Sequence, residues 1–349
     1  MKALLFGYYG YINLGDELML VCLSKWLGER GVSITVASET PETVTSTRGL
    51  PAVRNVPLLG EWEVANAWLR GGALRVLSAM RSHDLIIIGG GDLIRDDRGW
   101  RTFAFTVEKI AAARMLDKTV VLLNVGIGVP HTGYGRTILP WALRQCARIV
   151  VRDRRSVEVC AQAGVRAVFL PDIVLTLPSL FPSQPTHQAP YLAVCMKDHA
   201  GSLGDAQLQI LAGALDEYST SNGLETRCIP FQETDNLEHS RLASRMRTPC
   251  RVLPWSAEIS ELVSRIGNAH AVLAIPLHAA VLAVAYRKPC VAIPYDHKVR
   301  EFAQLAGLSL LETAGLERDG EAVAALEHGF KTLATPVDTA AWSTQRLLD

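Results

Sequence analysis

The sequence predicts an α/β protein built from two doubly wound parallel sheets. Three observations point there. Short apolar runs alternate with longer helix-type segments nearly throughout the 349 residues, as they do when crossover helices join parallel strands. The runs are almost wholly apolar rather than alternating, which suits strands covered on both faces. The length exceeds one ordinary core and fits two domains of about 150 residues each.

In the first half, strands are expected near 2–6, 33–37, 84–88 ("DLIII"), 119–124 ("TVVLLN"), 148–151 and 167–170. Helices are expected near 15–29, 61–81, 101–117, 138–147 and 155–163, where apolar positions recur at helical spacing. The stretch 177–190, "LPSLFPSQPTHQAP", holds four prolines and no usable period, so it reads as a linker. The pattern restarts with "YLAVC" (191–195), a helix near 205–222, "ETRCIP", a helix near 235–246, "CRVL", a helix near 257–267, "AVLAI" (271–275), a helix from 278 and "PCVAI" (289–293). Two closing helices are expected near 320–334 and 339–348, the second capped by Asp338 or Thr339. The predicted division is 1–178, a linker at 179–190, a second domain at 191–320, and C-terminal helices over 321–349 that have the option of packing back on the first domain.

Lys plus Arg equals Asp plus Glu at 35 each, so net charge gives no reason to expect nucleic acid or an anionic surface as partner. The seven cysteines stand singly, with no CxxC and no metal-type spacing, and read as reduced core residues of a cytosolic protein. No metal is expected. "MKALLFGYYG" is too short in its apolar part for a signal-peptide core. The apolar run from Ala271 to Tyr286 is broken by Pro276 and His278 and is shorter than the roughly 20 residues that span a bilayer. Peripheral membrane contact stays open.

In open parallel sheets, ligands bind outside the carboxyl ends of the strands, so the loops after strands carry the candidates. "GYYGYINLGDE" (7–17) brings Gly7, Gly10 and Gly15 into a helix start with Asn13, Asp16 and Glu17. The glycines allow close approach to a ligand, while the two acids suit either a ligand or the helix dipole. "GGGDLIRDD" (89–97) places Gly89, Gly90, Gly91 and Asp92 after a strand, with Arg95 as an anion clamp or as one half of an ion-pair patch. "NVGIGVP" (124–130) and "VRDRRS" (151–156) follow two further strands, and Ser156 suits a helix cap. Pro276 ends a buried strand and His278 falls in the first turn of the next helix, where free N–H groups favour phosphate or carboxylate. A structural histidine fits there too. "IPYDHKV" (293–299) repeats the format with Asp296, His297 and Lys298, the lysine binding an anion or pairing with Asp296.

Taken in order, "GYYGYINLGDE", "GGGDLIRD", "GIG" (126–128), "VRDRRS", "LPD" (170–172), "LHAAVLAVAYRKPCVAIPYDHKV" (277–299) and "FAQLAG" resemble the polysaccharide pyruvyltransferases of the CsaB type. The resemblance implies two Rossmann-like domains in a GT-B-like arrangement with an inter-domain cleft. It implies transfer of the enolpyruvyl group of phosphoenolpyruvate to a sugar of a cell-surface polymer precursor, often lipid-linked at the inner membrane face, as a pyruvate ketal. It needs no cofactor besides that co-substrate. His278 then serves as the catalytic acid–base residue and binds the donor with Lys197, Lys298, Arg95 and Arg152. The acceptor falls to Gly10, Asn13, Asp16, Glu17, Gly89, Gly90, Gly91 and Asp92. Two positions depart from the family pattern, which usually has arginine where Pro276 stands and commonly has arginine where Lys197 stands; lysine keeps the charge but not the two-pronged geometry. A nucleotide-sugar glycosyltransferase, or a glycan-binding member without catalysis, are the other readings.

Overall fold

The structure, a computed structural model, describes residues 1–11, 13–58, 71–97, 99–183, 189–197, 203–317 and 320–344, with the side chains of Trp100 and Thr102 left out. The chain divides into two compact units, Met1–Ile173 with Thr339–Asp349, and Val174–Asp338. Each is built around its own parallel sheet, as expected.

The first unit contains β1 (Lys2–Phe6), β2 (Ser33–Ser38), β3 (Ala52–Arg54), β4 (Leu85–Gly89), β5 (Thr119–Val125), β6 (Arg148–Val151) and β7 (Val168–Phe169). They lie in the order β3-β2-β1-β4-β5-β6-β7, all parallel. The order reverses between β1 and β4, which is where such sheets open a crevice. β4 is buried along its whole length, and "LIII" leaves no polar side chain to hydrate, so a central position is the one that suits it.

The second unit repeats the winding with β8 (Tyr191–Cys195), β9 (Glu225–Cys228), β10 (Cys250–Val252), β11 (Ala271–Ala274), β12 (Cys290–Ala292) and β13 (Ser309–Leu310). Its order is β10-β9-β8-β11-β12-β13, with the reversal between β8 and β11. A core of aliphatic side chains, among them Leu192, Val194, Leu211, Leu273 and Leu326, fills one side of this sheet.

Several boundaries differ from the sequence reading. Helix Gly133–Arg144 starts five residues before the expected 138, because Thr132 caps it by accepting from the Gly135 N–H at 2.9 Å. Of the expected helix 61–81, residues 72–82 are observed and 61–70 lie outside the described residues. Helix Pro41–Arg48 and strands β3 and β13 were not expected; "PETVTSTR" buries only Val44 and shows no apolar period. The units part at Ile173/Val174 rather than after 178. Phe181 and Ser183, in the expected linker, are held by the second unit, with Tyr286 Oη donating to the Phe181 carbonyl at 2.7 Å and Ser183 Oγ donating to that of Gly267 at 3.4 Å.

The closing helices separate. Helix Glu321–Lys331 belongs to the second unit, where Phe330 meets Tyr218 at 4.9 Å between ring centroids. Helix Ala340–Thr344 belongs to the first. Its Trp342 is buried, donates from Nε1 to the Pro171 carbonyl at 2.9 Å, and packs edge-on to Trp26. Trp26 Nε1 donates back to the Trp342 carbonyl at 2.7 Å.

Candidate functional site

At the β1 carboxyl end of the first unit, Gly10 adopts φ +85°. A side chain there would collide with Ser38 and Thr40, so glycine is required. The Gly10 N–H donates to Glu17 Oε1 at 2.7 Å, and its carbonyl accepts from Thr40 Oγ1 at 2.6 Å. Asn13 caps helix Leu14–Gly28 by accepting from the Gly15 N–H, and its amide donates to Asp16 Oδ2 at 2.7 Å. Glu17, expected to touch the acceptor, faces inward instead. It is buried and paired with Arg48 Nε at 2.7 Å, so it fixes the loop from beneath.

The loop also sorts three tyrosines that the sequence reading did not single out. Tyr9 is fully buried and donates to the Gly89 carbonyl at 2.5 Å. Tyr8 and Tyr11, on either side of Tyr9 and Gly10, turn outward and stack with centroids 4.0 Å apart and planes 4° from parallel. Burial and the hydrogen bond to Glu39 push the Tyr11 phenol above its usual pKa range. Partial burial and the charges of Asp16 and Glu39 raise that of Tyr8.

After β4, Gly90 and Gly91 take φ +71° and +74°. The Gly91 carbonyl accepts from the Gly126 N–H at 2.9 Å, which ties the post-β4 loop to the post-β5 loop. Asp92 then accepts from Arg152 Nη2 at 2.6 Å and from Arg95 Nη1 at 3.4 Å. Arg152 Nη1 donates to Asp172 at 3.2 Å, and Arg95 is paired with Asp97 through Nε and Nη2. Burial works against the Arg152 charge, but Asp92 and Asp172 outweigh it and hold the guanidinium above the usual arginine range. Arg95 and Arg152, expected to grip the donor, are thus engaged by three carboxylates of their own unit. Ser156 is likewise reassigned: Asp153 caps helix Arg154–Gln162, and Ser156 Oγ accepts from the Ile127 N–H at 2.8 Å.

In the second unit, the basic candidates come from three neighbouring strands in the order β8-β11-β12. Lys197 follows β8. His278 follows β11 as the second residue of helix Leu277–Ala285, half-buried behind Pro276. Lys298 follows β12 as the second residue of helix His297–Ala306. The lysines converge on one ring, with Lys197 Nζ 5.9 Å and Lys298 Nζ 6.0 Å from the Tyr295 centroid. Asp296 pairs with His297 Nδ1 at 2.5 Å. At Met196, the residue before Lys197, the backbone N–H donates to Nε2 of buried His239 at 2.9 Å. Neither Tyr295 nor His239 carries a signal in the sequence; the first stands in a motif flanked by charges, the second inside an ordinary polar helix.

Among the described residues, no three His, Cys, Asp or Glu side chains are grouped to hold a metal ion, and no helix is long and apolar enough to cross a membrane.

A family profile described as polysaccharide pyruvyl transferase matches residues 13–297. No curated protein sequence matches the chain. Among solved structures, the UDP-GlcNAc 2-epimerase of Methanocaldococcus jannaschii superposes with a TM-score of 0.67 at 10% identity, covering 99% of this chain and 98% of that one. The UDP-GlcNAc 2-epimerase of Neisseria meningitidis, bound to UDP-GlcNAc, gives 0.64 at 12% identity, with coverage of 99% and 98%. MurG of Acinetobacter baumannii gives 0.53 at 13%, with 97% of each chain covered. At these identities the likeness is one of fold.

Proposed function

Because the chain belongs to the polysaccharide pyruvyl transferase family, we propose that this transferase moves the enolpyruvyl group of phosphoenolpyruvate onto a sugar of a cell-surface polymer precursor. The product is a pyruvate ketal and inorganic phosphate. One observation carries the reading: Lys197, His278 and Lys298 follow three adjacent strands of one sheet at their carboxyl ends, and the two lysines meet at Tyr295. Two ammonium groups and a helix N-terminus suit a small ligand that bears both carboxylate and phosphate.

His278 is the proton-transfer residue in this reading. Its imidazolium protonates C3 of the enol, leaving a cationic centre at C2 that one sugar hydroxyl attacks while giving up its proton. The C2–O bond to phosphate then breaks, and the neighbouring hydroxyl closes the ketal with loss of a second proton. One of the two released protons restores His278 and the other leaves with phosphate, so the sum balances. Histidine is poised for both directions near neutral pH. Lysines in place of bidentate arginines hold the donor by charge rather than by a planar fork. We assign the reaction to the cytoplasmic side, with a lipid-linked acceptor reached by peripheral contact.

The test is phosphate release from phosphoenolpyruvate with a panel of sugar acceptors. Release that depends on both substrates, and a fall of about 10²–10⁴ in kcat for His278→Ala, is the expected result. Intact phosphoenolpyruvate with every acceptor, together with thermal stabilisation by UDP-sugars alone, overturns it.

A further inference from the structure

The stacked tyrosines of the post-β1 loop are placed as a ligand platform. Tyr8 is 47% exposed and stacks face to face on the half-buried Tyr11, so the pair is a slab two rings thick, with Tyr8 as its outer ring, beside the reversal point between β1 and β4. The backbone between them is pinned: Tyr9 is locked into the core through the Gly89 carbonyl, and Gly10 is held by Glu17 and Thr40. The slab is therefore pre-organised and loses little freedom when something settles on it.

The surroundings identify the occupant. Asp16 and Glu39 lie close enough to shift the Tyr8 hydroxyl by their charge, and the arginines of this sheet edge are engaged by Asp92, Asp97 and Asp172. An acidic rim repels phosphates and carboxylates but accepts hydrogen bonds from hydroxyl groups. A flat aromatic face flanked by carboxylate acceptors matches a neutral pyranose, which has an apolar C–H face and a rim of hydroxyls. Resting on the pyruvyl-transfer reading above, we propose that Tyr8, backed by Tyr11, is the floor of the acceptor subsite, with the sugar's C–H face on the outer face of the Tyr8 ring and Asp16 and Glu39 receiving its hydroxyls.

Methyl glycosides of glucose, galactose and N-acetylmannosamine are the probes, with UDP and phosphoenolpyruvate as controls. Saturation-transfer NMR on the full chain is expected to mark the C–H protons of one sugar face. Tyr8→Ala should raise the glycoside Kd by about tenfold, Tyr8→Phe should stay within about twofold because the ring face remains, and phosphoenolpyruvate binding should not change in either. Circular dichroism checks that the variants fold. An unchanged glycoside Kd in Tyr8→Ala, an equal loss in Tyr8→Phe, stronger binding of UDP than of any glycoside, or no glycoside binding by the native chain each overturns the proposal. The two readings separate in the same samples. Glycosides bound through Tyr8 without consumption of phosphoenolpyruvate remove the pyruvyl reaction and leave the platform; turnover with an unaltered acceptor KM in Tyr8→Ala removes the platform and leaves the reaction.

Discussion

His239 shows how one buried side chain can be read from its hydrogen bond. Nε2 accepts from the Met196 N–H, so it carries no proton, and the neutral ring must hold its hydrogen on Nδ1. Among the described residues, that Nδ1 is buried without a hydrogen-bond partner. Burial lowers the pKa from 6.5 to about 4. The unfolded chain therefore binds a proton more readily than the folded one between those values, and stability present above pH 6.5 is lost as pH falls towards 4. The loss amounts to roughly 3 kcal/mol for a shift of this size. Urea midpoints measured from pH 7 to 4 should show it, and His239→Gln, which keeps an acceptor near Nε2, should flatten that part of the curve. Met196 precedes Lys197, so loss of the acceptor in His239→Leu should raise the donor KM more than it lowers kcat. None of this was legible in "DNLEHSRLA", because a tautomer is set by a contact 43 residues away.

Elements were the most legible level. Apolar runs located nearly all the strands, and glycine clusters located the loops at the reversal of the first sheet, since burial on two faces and positive φ leave direct marks in composition. Partners were not legible: "GGGDLIRDD" and "VRDRRS" are separately ambiguous, and only the pairing of β4 with β5 and of β5 with β6 brings Asp92 to Arg152. Similarly, Cys228 and Cys250 stand singly in the sequence but come within 3.6 Å on neighbouring strands. Two predictions belong here. Arg152→Met leaves Asp92 and Asp172 without their shared cation and should cost about 3–5 kcal/mol in denaturant unfolding. Gly91→Ala should cost about 1–2 kcal/mol through its φ of +74°, and its Cβ would sit 3.0 Å from Asp16 Oδ1.

At the scale of the molecule, two parallel-sheet units follow from length and alternation alone, while their exact division does not. The sequence places the C-terminal helices together, but the chain leaves the second unit at Asp338 and returns to the first. Trp342 there is buried against Trp26, its carbonyl receiving both Trp26 Nε1 and Arg30 Nη2, the latter at 2.8 Å. Trp342→Ala should destabilise the first unit by about 3–5 kcal/mol and leave the second unchanged. Unfolding followed by hydrogen exchange, resolved by unit, measures both.

That return has a consequence for how the chain matures. Trp26 and the residue that seals it are 316 positions apart, so during synthesis the first unit emerges early yet lacks its last wall until the whole second unit has left the ribosome. The second unit contains every residue between Val174 and Asp338 in one stretch and can close by itself. Although domains generally fold in order of synthesis, here the later one should become protease-resistant first, while the earlier one waits, with apolar surface around Trp26 open to chaperones.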